Sequence, residues 1–124
     1  MNSDVEKAIQ LLLQYSPNTP KYTFSDWLEK WITTYKEPKL KKSTLRDYRR
    51  YIDTYILPKL GNVLISDLDG LALQEFINGI TAPNIRKKVS FVIKSSLQKA
   101  VKLRYIFFNP FDSVEVPRAQ INHY

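Results

Sequence analysis

Apolar residues recur along this chain at spacings of three and four, and no stretch between turn signals alternates apolar with polar for long. The pattern predicts an all-α protein of five helices. The first covers about Val5 to Gln14 and is ended by Pro17 and Pro20. The second follows Thr23, a hydroxyl N-cap with Asp26 three residues on, and carries Phe24, Trp27, Leu28, Trp31, Ile32 and Tyr35 as a core stripe. Pro38 falls in the next loop. A third helix starts near Ser43 as its cap and stops before Pro58 and Gly61, where proline cannot donate and glycine can reverse the chain. Asp69 can cap a short fourth helix that closes at Gly79. Pro83 suits the first position of a long fifth helix reaching about Leu103, because its missing N–H would have no partner there. From Asn109-Pro110 to Val116-Pro117-Arg118 the period fades, which predicts an extended linker leaving the domain.

Turning each residue by roughly 100° separates the faces of the two longest helices. In the third, Leu45, Tyr48, Ile52, Tyr55 and Ile56 form a face to be buried. Ser43, Asp47, Arg50 and Thr54 lie opposite, with Arg46 beside them and Arg49 nearer the buried edge. In the fifth, Ile85, Val89, Val92, Ile93, Ser96, Ala100 and Leu103 turn inward. Lys87, Phe91, Lys94, Gln98 and Lys102 turn outward, with Lys88 and Ser95 at the flank. Phe91 projects among lysines. It is either covered by another segment or free to touch a sugar or thymine methyl in a groove.

Charge sharpens this picture. The 124 residues carry a net +7, and two segments hold the excess. Lys36 to Arg50 has seven bases against two acids, and Arg86 to Arg104 has seven bases and no acid. The remainder has five bases and ten acids. Two positive segments on an otherwise acidic chain are a focused electrostatic footprint for an anionic partner. Acids at i,i+4 would have stabilised the fifth helix, so its own stability does not explain their absence. Length and 44% hydrophobic content fit one domain with an apolar core, and no cysteine is present for disulfides or thiolate metal sites. The apolar stretch Ile9 to Leu13 is short and follows Asp4 and Glu6, unlike a signal peptide, and nothing approaches the roughly 18 apolar residues of a spanning helix. A soluble, cytoplasmic protein without membrane contact is expected.

The order of short motifs points to a family. Lys41-Lys42-Ser43-Thr44-Leu45 with Tyr48, followed by Ile56-Leu57-Pro58-Lys59-Leu60-Gly61, resembles the core-binding domain of phage and transposon integrases, the tyrosine recombinases. Ile65-Ser66-Asp67-Leu68 with Leu73-Gln74-Glu75-Phe76-Ile77, then Leu97-Gln98-Lys99-Ala100-Val101 with Asn109-Pro110, are similar to its later helices. The resemblance spans about Thr23 to Pro117. It implies a SAM-like four-helix core-binding bundle, half of a clamp on recombination-site DNA, with the N-terminal helix as an addition. The corresponding division is 1–22 for the N-terminal helix and linker, 23–108 for the core-binding domain, and 109–124 for a linker toward a catalytic domain. It also implies other recombinase protomers as partners on double-stranded DNA. Lys41 and Lys42 match the basic approach to the third helix, and Ser43 and Thr44 match positions touching the DNA backbone. Asp47 and Arg50 match positions for base-edge or phosphate contacts. Asp47 would be repelled by phosphate unless it accepts from a cytosine amino group or pairs with a neighbouring arginine. With Arg46, Arg86, Lys87, Ser90, Phe91 and Lys94 added, these are the expected DNA contacts.

No catalytic centre is expected in this chain itself. The resemblance implies a tyrosine nucleophile with arginines, a lysine and histidines in a separate C-terminal domain. Here His123 is the only histidine, no His-x-x-Arg element occurs, and His123-Tyr124 reads as linker, so the chain looks like an excised part of a recombinase. No metal cluster, cofactor loop or small-molecule site is expected, since one histidine and three isolated glycines supply neither ligands nor a phosphate loop. A helical protein-interaction module docking on an acidic partner remains the alternative, because tyrosine and tryptophan suit protein interfaces too. A helix-turn-helix regulator fits less well, because about eleven residues separate the third and fourth helices where a short turn is needed.

Overall fold

The computed structural model describes residues 3–14 and 20–118. Pro17 and His123-Tyr124, which the sequence placed in linkers, lie outside the described residues. Helix α1 is Ser3–Gln14, and α2 is Phe24–Trp31, continued by a π-helical turn Ile32–Lys36. Helix α3 is Lys42–Tyr51; a second π turn, Ile52–Ile56, joins it to the short α4, Leu57–Leu60. A 3-10 turn Ile65–Asp67 precedes α5, Gly70–Asn78, and the long α6, Pro83–Lys102. A last 3-10 turn spans Pro110–Ser113. The fold is all-α, a helical bundle with an added N-terminal helix. One antiparallel bridge, Thr23 with Leu64, is the only extended pairing among the described residues. Around it Phe24 N–H donates to the Val63 carbonyl at 2.8 Å and Ile65 N–H to that of Tyr22 at 2.9 Å.

The predicted core stripe of α2 is the centre of the molecule. Phe24, Trp27, Leu28, Trp31 and Ile32 are buried, and Trp27 Nε1 donates to the Ser96 carbonyl of α6 at 2.9 Å, which satisfies the one polar atom of that indole. Thr23 caps α2 as its sequence suggests, accepting from Asp26 N–H at 3.2 Å. Pro83 opens α6, where its missing N–H leaves no gap.

Four expectations are corrected. The third helix does not stop before Pro58. An α-helical Pro58 would lose its bond to the Thr54 carbonyl and press its ring against it. The π turn widens the backbone one step earlier, with Leu57 N–H reaching Ile52, so the coil continues through proline to Leu60. Ser43 is not the cap: Lys41 holds that position in extended backbone, and Ser43 lies inside the first turn. Gly61 keeps an ordinary helical φ of −61° and reverses nothing; a Cβ there would lie 2.7 Å from the Leu57 carbonyl oxygen. Leu103 is 37% exposed, while Leu97, passed over in the sequence, is buried. Leu103 caps α6, and Arg104 follows at φ 64° so that Arg104 and Tyr105 N–H return to the carbonyls of Val101 and Ala100.

The start of the segment read as a departing linker is packed, whereas Glu115 to Arg118 are exposed and without regular structure. Asn109, Pro110 and Phe111 are buried, Phe111 at 3% exposure. The Asn109 side chain accepts from Phe111 N–H at 2.9 Å and donates to the Lys94 carbonyl at 3.1 Å, tying the turn to α6. Further on, the Gln74 amide of α5 both donates to the Glu115 carbonyl, at 2.8 Å, and accepts from Glu115 N–H, at 2.7 Å. Two prolines and a lost period mark the end of the α-helical path, not the end of packing. The described side chains of α1 are exposed, Val5, Ile9, Leu11 and Leu12 included.

Candidate nucleic-acid interface

Between α3 and α6 lies an open groove of about 510 Å³. Helix α3 contributes Thr44, Asp47, Tyr48 and Tyr51 to its lining, and α6 contributes Asn84, Lys87, Lys88 and Phe91. Their numbers explain the arrangement. Positions 84, 87, 88 and 91 follow the i, i+3, i+4, i+7 ridge of one helix face, as 44, 47, 48 and 51 do on the other. The two basic segments of the sequence thus meet along one concavity.

The groove floor is aromatic and its α6 wall is cationic. Tyr51 is buried; Tyr48 is half-buried and stacks on Trp31, with centroids 6.2 Å apart and planes 8° from parallel. Burial pushes the Tyr48 hydroxyl above its ordinary pKa, so it stays a neutral donor and acceptor. Phe91 is 55% exposed at the rim, and no described segment covers it fully. Asp47 does pair with an arginine: its carboxylate lies 3.7 Å from the Arg50 guanidinium, which also stands 5.3 Å from the Tyr51 ring centroid. That pairing reduces the repulsion a lone carboxylate would offer to phosphate. Arg49, nearer the core, is paired with Glu29 of α2 at 2.9 Å.

The expected contacts therefore divide. Thr44, Asp47, Lys87 and Phe91 line the groove, and Arg50 stands beside it. Lys41, Lys42, Ser43, Arg46 and Lys94 are exposed on the same two helices or at their start, but outside its lining. Of two others, one is bonded by the protein and one is covered by it. The Arg86 guanidinium donates to the Pro117 carbonyl, at 2.6 and 3.0 Å, and to that of Ile80 at 3.2 Å. Ser90 is only 5% exposed, on the flank of α6 shared with Arg86. Sequence reasoning passed over Asn84 and both tyrosines as contacts and left Lys88 at the flank. The ridge spacing from Phe91 back to Asn84 was the available signal.

Among the described residues no group of three or more His, Cys, Asp or Glu side chains is placed to hold a metal ion. No described helix is long and apolar enough to cross a membrane.

Residues 23–81 match the family described as phage integrase, N-terminal SAM-like domain. Over that segment this chain is similar to the phage integrase SAM-like domains. A solution structure of a Clostridium leptum fragment, residues 61–160, is 27% identical, covers 84% of this chain and 96% of its own, and superposes with a TM-score of 0.73. The integrase-like domain of a Bacillus cereus protein is 26% identical over 82% of this chain and 89% of its own, with a TM-score of 0.74. Lambda integrase, solved as a dimer bound to a COC′ core site, shares the fold at 16% identity and a TM-score of 0.77. That match covers 89% of this SAM-like chain and 32% of the lambda integrase chain. No curated protein matches the sequence.

Proposed function

We propose that this SAM-like domain binds duplex DNA as the core-binding half of a site-specific tyrosine recombinase. The observation that carries the reading is the groove where Lys87, Lys88, Asn84 and Phe91 of α6 face Thr44 and the Asp47–Arg50 pair of α3. Lysine ammonium groups neutralise backbone phosphates and release counterions, the main source of affinity for DNA. Asn84, Thr44 and Arg50 carry donors suited to phosphate or base edges, and exposed Phe91 suits a sugar or thymine methyl. Lys41, Lys42, Ser43, Arg46 and Lys94 extend the surface along the DNA backbone, whereas Arg86 and Ser90 drop out of the direct set. Strand cleavage belongs, in this reading, to a catalytic domain of the parent recombinase, and other protomers share the DNA. Lambda integrase, solved as a dimer on a core site and as a tetramer on a Holliday junction, supports the sharing of DNA by protomers. The basic groove favours this over the protein-interaction alternative, because a stacking and phosphate-binding surface needs no acidic protein to complete it.

Fluorescence anisotropy with a labelled duplex tests the proposal. Affinity should fall by roughly 10³ between 50 and 200 mM salt, the lower figure for six to ten neutralised phosphates. Lys87→Glu with Lys88→Glu should lower affinity further at low salt while thermal unfolding stays unchanged, since both side chains are outside the core. Binding indifferent to salt, or to that double change, would rule out the groove as a DNA surface.

A further inference from the structure

A second cationic cluster lies outside the groove and outside every residue so far assigned to DNA. Lys36 closes the π turn after α2, Lys39 stands in the following turn, and Lys99 lies in the last turn of α6. The turn is set by Lys39 and Leu40 N–H, which both donate to the Lys36 carbonyl, at 3.0 and 2.9 Å. Lys36 Nζ sits 5.1 Å from the Trp31 ring centroid, and Lys99 Nζ sits 4.5 Å from that of Tyr35, the neighbour of Lys36. Aromatic faces thus hold two ammonium groups in place instead of leaving them to wander.

Helix C-termini attract single lysines through their dipoles, which accounts for Lys36 and Lys99 taken separately. It does not account for Lys39, nor for bringing three like charges within range of one another. The Lys36 amine is held below its ordinary pKa, first by burial and then by the charges of Lys39 and Lys99. None of the three forms an ion pair with a carboxylate among the described residues. Glu37, the nearest acid in sequence, acts on Arg49. Two of these cations are seated on rings and none of the three has a carboxylate partner among the described residues, so an anion from outside would meet no competing counter-charge there.

We propose that Lys36, Lys39 and Lys99 form a second phosphate-binding site, which takes the backbone of the same duplex beyond the α3–α6 groove. The choice of DNA as the phosphate source rests on the proposed function; the phosphate chemistry does not. Continuity favours that source. Lys36 stacks on Trp31, Trp31 on Tyr48, and Tyr48 lines the groove, so cluster and groove are two ends of one side-chain stack. At 1.5 Å per residue, Lys99 is about 16 Å along α6 from Lys88, roughly five nucleotide steps of 3.4 Å.

The test has two arms, using the full chain and the variant Lys36→Gln, Lys39→Gln, Lys99→Gln, with thermal unfolding as the check on folding. In the first, duplex affinity is measured against salt. The slope of log affinity on log salt should shrink by about 0.9 for each phosphate the variant no longer neutralises, so by about 0.9 to 2.7 for the triple change. In the second, inorganic pyrophosphate is titrated into the protein and backbone amide resonances are followed. Signals of residues 36, 39 and 99 should move in the wild type and stay still in the variant. Duplex binding with an unchanged slope in the variant, together with pyrophosphate that moves none of those signals, overturns this proposal and leaves the groove intact. Pyrophosphate shifts at the cluster without duplex binding by the wild type would keep the phosphate site and reject DNA as its source.

Discussion

Replacing Ser90 by alanine should stabilise this domain, and the reason is a single atom. Ser90 is 5% exposed on the flank of α6, and its Oγ has no hydrogen-bond partner among the described residues. A buried hydroxyl left without a partner costs about 1–3 kcal/mol relative to one that stays in water. Ser90→Ala removes that cost and adds up to about 0.5 kcal/mol of helix propensity. Against this stands the lost dispersion of one oxygen, about a few tenths of a kcal/mol. The net is a gain of about 1–3 kcal/mol, which raises the melting temperature by roughly 3–6 °C per kcal/mol for a domain of this size. Ser96 supplies the control within the same helix. It is fully buried too, but its Oγ donates to the Ile93 carbonyl at 3.0 Å, so Ser96→Ala should be neutral or destabilising. Urea and thermal unfolding followed by circular dichroism measure both variants. Equal or lower stability of Ser90→Ala would refute the reasoning, because it would mean the hydroxyl has a partner in solution. Ser90→Ala should also leave duplex affinity unchanged; a several-fold loss in a folded variant would put Ser90 back among the DNA contacts.

Further outcomes follow from the packing. Trp31→Ala should cost about 3–5 kcal/mol, a large share of a typical domain's stability; a loss under about 1 kcal/mol in urea unfolding would contradict its central place. Gln74→Ala removes both bonds to the Glu115 backbone and should cost about 1 kcal/mol. Hydrogen exchange should then quicken at Glu115 while α2 and α6 stay protected; unaltered exchange there would show that Gln74 does not hold the segment. Burial raises the Tyr48 and Tyr105 hydroxyls above their ordinary value of 10.0, so both are neutral, folded or unfolded, through neutral pH. Above about pH 10 the unfolded chain ionises first, so stability falls as pH rises toward the folded values. The depressed Lys36 amine works the other way, its unfavourable charge being relieved as pH rises through its folded value. Tyr48→Phe isolates the first effect: its stability should decline less steeply above about pH 10 than the wild type's.

Much of this protein was legible in its residues. The period of three and four in α2, the Thr23 cap, Pro83 at the head of α6 and the acid-free run from Arg86 to Arg104 are local facts, each with a local cause in hydrogen bonding, sterics or charge. Those same facts were enough to select α3 and α6 as the cationic pair, because the outward face of a helix follows from its own spacing.

What the spacing could not carry was any property that depends on two distant segments meeting. Ser90 has the composition of an outer-face residue and became buried because the flank of α6 that carries it is covered. Arg86 was drawn to the Pro117 carbonyl, and the Asn109-Pro110-Phe111 turn entered the core, because burial against α5 and α6 outweighs a weak helical period. Pro58 stayed within a coil because a π turn relieved its clash. That Lys87 and Thr44 share a groove, and that Lys36 and Lys99 come together from opposite parts of the chain, was decided only by how the helices cross. Local chemistry sets which faces a helix has; tertiary packing sets what each face meets.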